Sequence, residues 1–140
     1  MPFYRRDHLK LIAKAKLDDA LLLLAHRRWS NAYYLGGFAV EIGLKACVAK
    51  QMSAEVIPDK KFINDMHTHV LPSLIGLAGL SEEKRTKEAS DADFAQNWGI
   101  AAQWSPEKRY EVVDPTSAQL LLAAVNDSAS GVFPWIQTYW

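Results

Sequence analysis

The run Asn31-Ala32-Tyr33-Tyr34-Leu35-Gly36-Gly37-Phe38-Ala39-Val40-Glu41-Ile42-Gly43-Leu44-Lys45-Ala46-Cys47 decides the fold. Between Arg28 and Lys50 the only charges are Glu41 and Lys45. At helical spacing they stack on one face, acid before base, the favourable order for an ion pair. Nearly everything around them is apolar or small, which predicts a helix buried on most sides. A buried charge needs a partner or it is very costly. The segment therefore predicts a specific polar site inside a helical core. It also carries a row of small residues, Ala32, Gly36, Ala39, Gly43 and Ala46, that lets another helix come close. Gly36-Gly37 costs roughly 1 kcal/mol of helix propensity per glycine, so packing or a ligand must compensate.

Helical patterns extend on both sides of this run. Asp7 is expected to cap a first helix reaching about His26, with Leu9, Ala13, Leu17, Ala20 and Leu24 on its apolar stripe. Ser30 or Asn31 is expected to cap the second, central helix, which runs to about Gln51. Residues 53–65, with Pro58 and Asp59-Lys60-Lys61, read as an exposed connection. A short helix follows over about 68–79, with Pro72 in its first turn. Ser81, Glu82 and Glu83 open the next, which runs to about Trp104 with a break near Ser90-Asp91. Ser105-Pro106 stops it. Asp114-Pro115 starts the last helix, an Asp cap followed by Pro at the first position. Gly131 and Pro134 disturb its final turns. The expectation is an all-α, up-and-down bundle of about five helices forming a single domain over residues 1–140.

The 140 residues suffice for one domain with a real core, and 49% hydrophobic with 23% charged residues is ordinary for a globular protein. Sixteen basic residues balance sixteen acidic ones, so no global charge points to nucleic acid. The distribution is uneven: residues 1–50 hold nine Lys/Arg against four Asp/Glu, and residues 81–127 hold five against nine. Cys47 is the only cysteine, which excludes an intrachain disulfide and suits a reducing compartment. The start Met1-Pro2-Phe3-Tyr4-Arg5-Arg6 has no apolar segment of signal-peptide type. No membrane association is expected, and the expected location is the cytoplasm.

Three blocks resemble one family. Ala32 to Ala46 is similar to the second-helix signature of HEPN domains. Thr68-His69-Val70-Leu71 with Leu74 resembles that family's short His-containing helix start. Trp104 to Arg109-Tyr110 resembles its aromatic-then-Arg-Tyr segment before the final helix. Order and spacing match over about residues 7–138. The resemblance implies an all-α bundle of four or five helices that often forms a homodimer. HEPN proteins often accompany minimal nucleotidyltransferases as toxin–antitoxin partners. Many are metal-independent ribonucleases, and others are non-catalytic binding modules.

The ribonuclease members pair an Arg with a His four to six residues later. Here the arginines are Arg5, Arg6, Arg27, Arg28, Arg85 and Arg109, and none is followed by His at that spacing. RNA cleavage of that kind needs a cation on the phosphate and a His to move a proton. The expectation is therefore a non-catalytic binding or interaction module for a nucleotide, RNA or a nucleotidyltransferase partner, with no catalytic residue, cofactor or metal. The alternatives are a ribonuclease with a displaced site, built from His67 or His69 with Arg109, and a dimeric structural protein without a small ligand.

The expected ligand site or polar-core cluster is Glu41, Lys45, His69, Arg109 and Tyr110. A structural ion-pair network of Glu41 and Lys45 with Arg109 and His69 competes with ligand binding there. Arg27, Arg28, Trp29 and Tyr33 mix cations with aromatics, as suits RNA contact or a dimer surface. The tail Val132 to Trp140 holds four aromatics in nine residues, to be covered by its own bundle or by a second subunit. Trp29, Trp135 and Trp140 are the interface candidates.

Overall fold

A computed structural model describes residues 4–140; of the Met1–Arg6 start, residues 1–3 lie outside it. The chain forms α1 (Arg6–Ala25), α2 (Trp29–Lys50), α3 (Lys60–Asp65), α4 (Leu71–Leu77), α5 (Ser81–Ser90) and α6 (Ala92–Ala101). A 3-10 turn (Pro106–Tyr110), α7 (Pro115–Asn126) and α8 (Val132–Gln137) complete it. Among the described residues there is no strand, so the all-α reading holds. Among the described residues eight helices replace the expected five, because three of the expected segments divide or gain a turn.

α2 is the centre. It has the length and mean hydropathy of a membrane span, yet 72% of its apolar window is buried by the other helices. A helix apolar all round is a core helix in such a setting. α1 packs along it as a hairpin. Ala13, Leu17 and Ala20 are buried, and Leu9 and Leu24 are partly buried, as the apolar stripe predicts. The hairpin turn is a Schellman closure: the Arg28 N–H donates to the Leu23 carbonyl at 2.8 Å and the Arg27 N–H to the Leu24 carbonyl at 3.1 Å. Arg27 itself is left-handed, with φ 59°, a conformation that disfavours a side chain by about 1 kcal/mol.

On another side α2 meets α7, α8 and Trp104 through its small residues. A Cβ at Gly37 would stand 2.1 Å from the Trp104 ring, so only glycine admits that indole. A Cβ at Gly43 would come 3.2 Å from Ile136 of α8. Tyr34 and Phe38 flank the Trp104 ring at centroid distances of 6.1 Å each.

The aromatic tail closes over its own bundle. Phe133, Trp135 and Ile136 are buried, and Trp140 lies edge-on to Phe133 at 5.4 Å, with the Lys10 ammonium over its ring. Arg6 donates to the Trp140 carbonyl. Trp135 is core, and Trp29 and Trp140 are half-buried against that core.

The helix ends depart from expectation in four places. Asp7 does not cap α1; Arg5 stands there, and Asp7 pairs with Arg5 at 3.2 Å. Ser30 does not cap α2; its hydroxyl accepts the Val113 N–H at 2.9 Å and ties down the segment before α7. Within the expected connection 53–65, Asp59 caps α3 by accepting the Phe62 N–H at 2.8 Å. The last helix is two: α7 ends at Asn126, and Gly131 starts α8 afresh.

Two expectations at helix ends hold. Asp114 caps α7, accepting the Ser117 N–H at 3.0 Å. The Ser117 hydroxyl and N–H hold its carboxyl below the usual carboxylate range. The break near Ser90 falls at Asp91, which accepts the Phe94 N–H at 3.0 Å and the Ser130 hydroxyl at 2.8 Å. Those two donors, the Phe94 N–H foremost, keep its carboxyl low as well.

Candidate functional site

The Glu41–Lys45 pair forms as the spacing predicts. Lys45 Nζ lies 3.4 Å from Glu41 Oε2. His69, just ahead of α4, brings Nδ1 to 2.9 Å from Glu41 Oε1. Glu41 is 2% exposed, and each of its oxygens faces one of these partners. The partners differ: the Lys45 side chain is 22% exposed and that of His69 is 56% exposed. One buried carboxylate thus anchors two nitrogen groups that reach water. Charged hydrogen bonds of this kind are about twice as strong as neutral ones, which fixes the α3–α4 link against α2.

The triad lines an open cleft of about 480 Å³, within the size range of small-molecule sites. α1 supplies Leu9 and Ile12, α2 supplies Phe38, Ile42 and Val48, and the link supplies Met66 and His67. Tyr4 also lines it, its ring 6.4 Å from that of His67 in an edge-on arrangement. Lys16 on α1 reaches over the Phe38 ring at 5.9 Å.

Arg109 and Tyr110 do not join Glu41. The Arg109 guanidinium lies 4.8 Å from the Tyr110 ring centroid, with Tyr34 beside it, and neither residue lines the cleft. The 3-10 turn sets them at the Tyr33–Tyr34 end of α2, short of the Glu41 turn. His67 and His69 therefore share a cleft with Lys45, and Arg109 is elsewhere. Among the described residues no three His, Cys, Asp or Glu side chains are grouped to hold a metal.

Of the other expected surface, Arg27 and Arg28 are exposed and Trp29 is half-buried. Tyr33 is buried at 9% exposure, and burial raises its phenol above the ordinary 10.0. Its ring face is used by the core and is not free for stacking. Cys47 is buried, with its thiol 3.8 Å from the Ile136 carbonyl, and burial pushes it up to about 11. It is inert packing, as its small neighbours suggest.

The cleft-wall residues that sequence reasoning did not single out are Ile12, Met66 and Ile42. Ile12 carried a signal: it is apolar but lies off the buried stripe of α1. Comparison with protein-family models, with characterised proteins and with solved structures finds no match for this chain.

Proposed function

We propose that this protein is a non-catalytic, HEPN-like binding module whose ligand site is the cleft over Glu41, Lys45 and His69. One observation carries the reading: a buried carboxylate holds two solvent-reaching nitrogen groups that line an open, largely apolar cleft. Largely apolar pockets with a few convergent polar groups are the usual form of small-molecule sites. An ion-pair network that served packing alone would have no need of the adjoining open volume. The same geometry weakens the ribonuclease alternative, because the only arginine proposed for it, Arg109, stands apart from His67 and His69.

A melting-temperature panel tests this reading, using nucleotides, carboxylates, amines and sugars beside an Ile12→Trp variant that fills the cleft. A ligand at a hundred times its Kd adds about 2.7 kcal/mol of stability. At least one class is expected to raise the wild-type melting point and to leave the filled variant unmoved. If no class does so, the triad is a structural ion-pair network and the binding reading falls.

A second surface fits RNA. Arg27 and Arg28 form no ion pair among the described residues and sit beside Trp29 at the α1–α2 turn. Arg27 occupies a left-handed position where glycine would be easier. If RNA binds there, Arg27→Gly with Arg28→Ser weakens it and flattens its salt dependence by about two phosphate contacts. An unchanged salt slope removes this reading.

A further inference from the structure

The donor and acceptor balance of the cleft identifies the ligand it can hold. We infer that it takes a small monocarboxylate on an apolar body, with the head on Lys45 beside His69 and the body between α1 and α2. This inference rests on the cleft being a ligand site.

The one carboxylate at the polar end is buried beneath its partners. Glu41 is 2% exposed, and its two oxygens already take His69 Nδ1 at 2.9 Å and Lys45 Nζ at 3.4 Å. An incoming ammonium or amidine would have to reach past both partners to a carboxylate with almost no exposed surface. Donor capacity, by contrast, is left over. An ammonium carries three N–H groups, and Lys45 directs one along a long contact to Glu41. Lys45 lines the cleft and its side chain is 22% exposed, so the other two are within reach of an incoming acceptor. A carboxylate is therefore the head that completes the site. It would turn the Glu41–Lys45 contact into a chain in which one ammonium bridges two carboxylates, with His69 holding part of the charge on Glu41.

Two features exclude a nucleotide. Lys45 is already paired with Glu41 and Lys16 is engaged over the Phe38 ring, which leaves little positive charge to offset several further negative ones. A di- or triphosphate would bring several into a half-enclosed space beside Glu41, where repulsion is poorly screened. The walls argue the same way. Leu9, Ile12, Phe38, Ile42, Val48 and Met66 offer no side-chain hydrogen bond. Ribose hydroxyls against them would lose their water without replacement, whereas a phenyl or alkyl body gains by the same burial. The remaining titratable groups around the cleft are Tyr4 and His67, whose rings lie 6.4 Å apart, and Lys16, over the Phe38 ring at 5.9 Å.

The test titrates the full chain by calorimetry and by backbone-amide NMR. The probes are 4-phenylbutyrate and decanoate, with 4-phenylbutanamide, 4-phenylbutylamine and ADP as comparisons. Both carboxylates are expected to shift the amides of Phe38 to Val48 and of Ile12. Amide and amine are expected to bind roughly tenfold more weakly or worse, as loss of a charged hydrogen bond predicts. Lys45→Met and Lys45→Gln should each abolish the preference for the carboxylate, and Lys61→Met, on exposed α3, should keep it. Retained melting of both Lys45 variants shows that the loss is not unfolding. If the amide, the amine or ADP shifts the same cleft amides as strongly as the carboxylates, the carboxylate assignment is wrong and the cleft remains a binding site. If carboxylates bind but shift amides elsewhere, the assignment is also wrong. If no probe moves a cleft amide, both the assignment and the binding reading are overturned.

Discussion

Two sides of α2 are built on opposite terms. The side facing Trp104, α7 and α8 is closed with glycines, and an added Cβ at Gly37 would meet the indole at 2.1 Å. The side facing α1 and the α3–α4 link keeps a gap of about 480 Å³ and places its only buried charge there. A helix with one uniform environment would need neither device. Close approach demands residues without side chains, and a charge is tolerable only where its partners reach water. The sealed side therefore holds the protein together, and the open side is available for chemistry.

The sharpest way to separate the sides is by thiol reactivity, because Cys47 lies on the sealed one. Its thiol is raised from 9.0 to about 11, so near neutral pH the reactive thiolate is roughly a hundredfold scarcer. Labelling at pH 8 should therefore be at least that much slower in the native protein than in urea. Equal rates would show that the α2–α8 contact opens readily.

Next in size is Gly37→Ala. The Trp104 ring cannot share the space with a methyl group, and overpacking of this kind costs about 3 kcal/mol. Urea unfolding should show a lower midpoint with an unchanged slope. A loss below about 1 kcal/mol would mean that the indole swings aside.

Glu41→Ala strands Lys45 and His69. Breaking a fully buried pair costs about 3–5 kcal/mol, but both partners reach solvent, so the expected loss is about 2–3 kcal/mol after screening. A larger loss would show that the cleft is closed in solution, and the contrast between the two sides would disappear. The smallest effect has the opposite sign. Gly99 sits on the exposed face of α6 with nothing within 4 Å of an added Cβ. Gly99→Ala should stabilise by about 0.5–1 kcal/mol through helix propensity alone. A destabilisation would reveal a contact at that face.

Signals set by a few neighbouring residues were legible in the sequence. The Glu41–Lys45 spacing, the Asp114-Pro115 start and the break at Ser90-Asp91 all depend on local chemistry, and each appears in the structure. The α3 helix was hidden because Pro58 and the Lys60-Lys61 pair look like a loop, while the Asp59 cap outweighs them. Ser30 looks like a cap but serves Val113, 83 residues away. Arg109 fails to reach Glu41 for a similar reason: the register of the 3-10 turn along α2 is a tertiary quantity with no local trace. His69 was placed correctly beside Glu41, yet the cleft itself was invisible. Its volume depends on how far α1 stands from the α3–α4 link, and no single residue states that distance.

The seat of α8 has a consequence for the order in which the chain assembles. α1 and α2 are joined by a short turn, so their pairing closes a small loop. α8 and the residues after it reach α2 and α1 through long-range contacts such as Cys47–Ile136 and Arg6–Trp140, spanning 89 and 134 residues. Loop-closure entropy delays such contacts until the intervening chain is in place. The α1–α2 hairpin is the nucleus on this argument, and α8 is the latch that drops last. Leu17→Ala should then slow folding, with a φ-value near 0.5–0.8, while Phe133→Ala should leave folding almost untouched and speed unfolding, with φ near 0–0.3. The six residues of α8 would thus govern how long the folded state lasts rather than how quickly it forms, and stopped-flow chevrons of the two variants read that division directly.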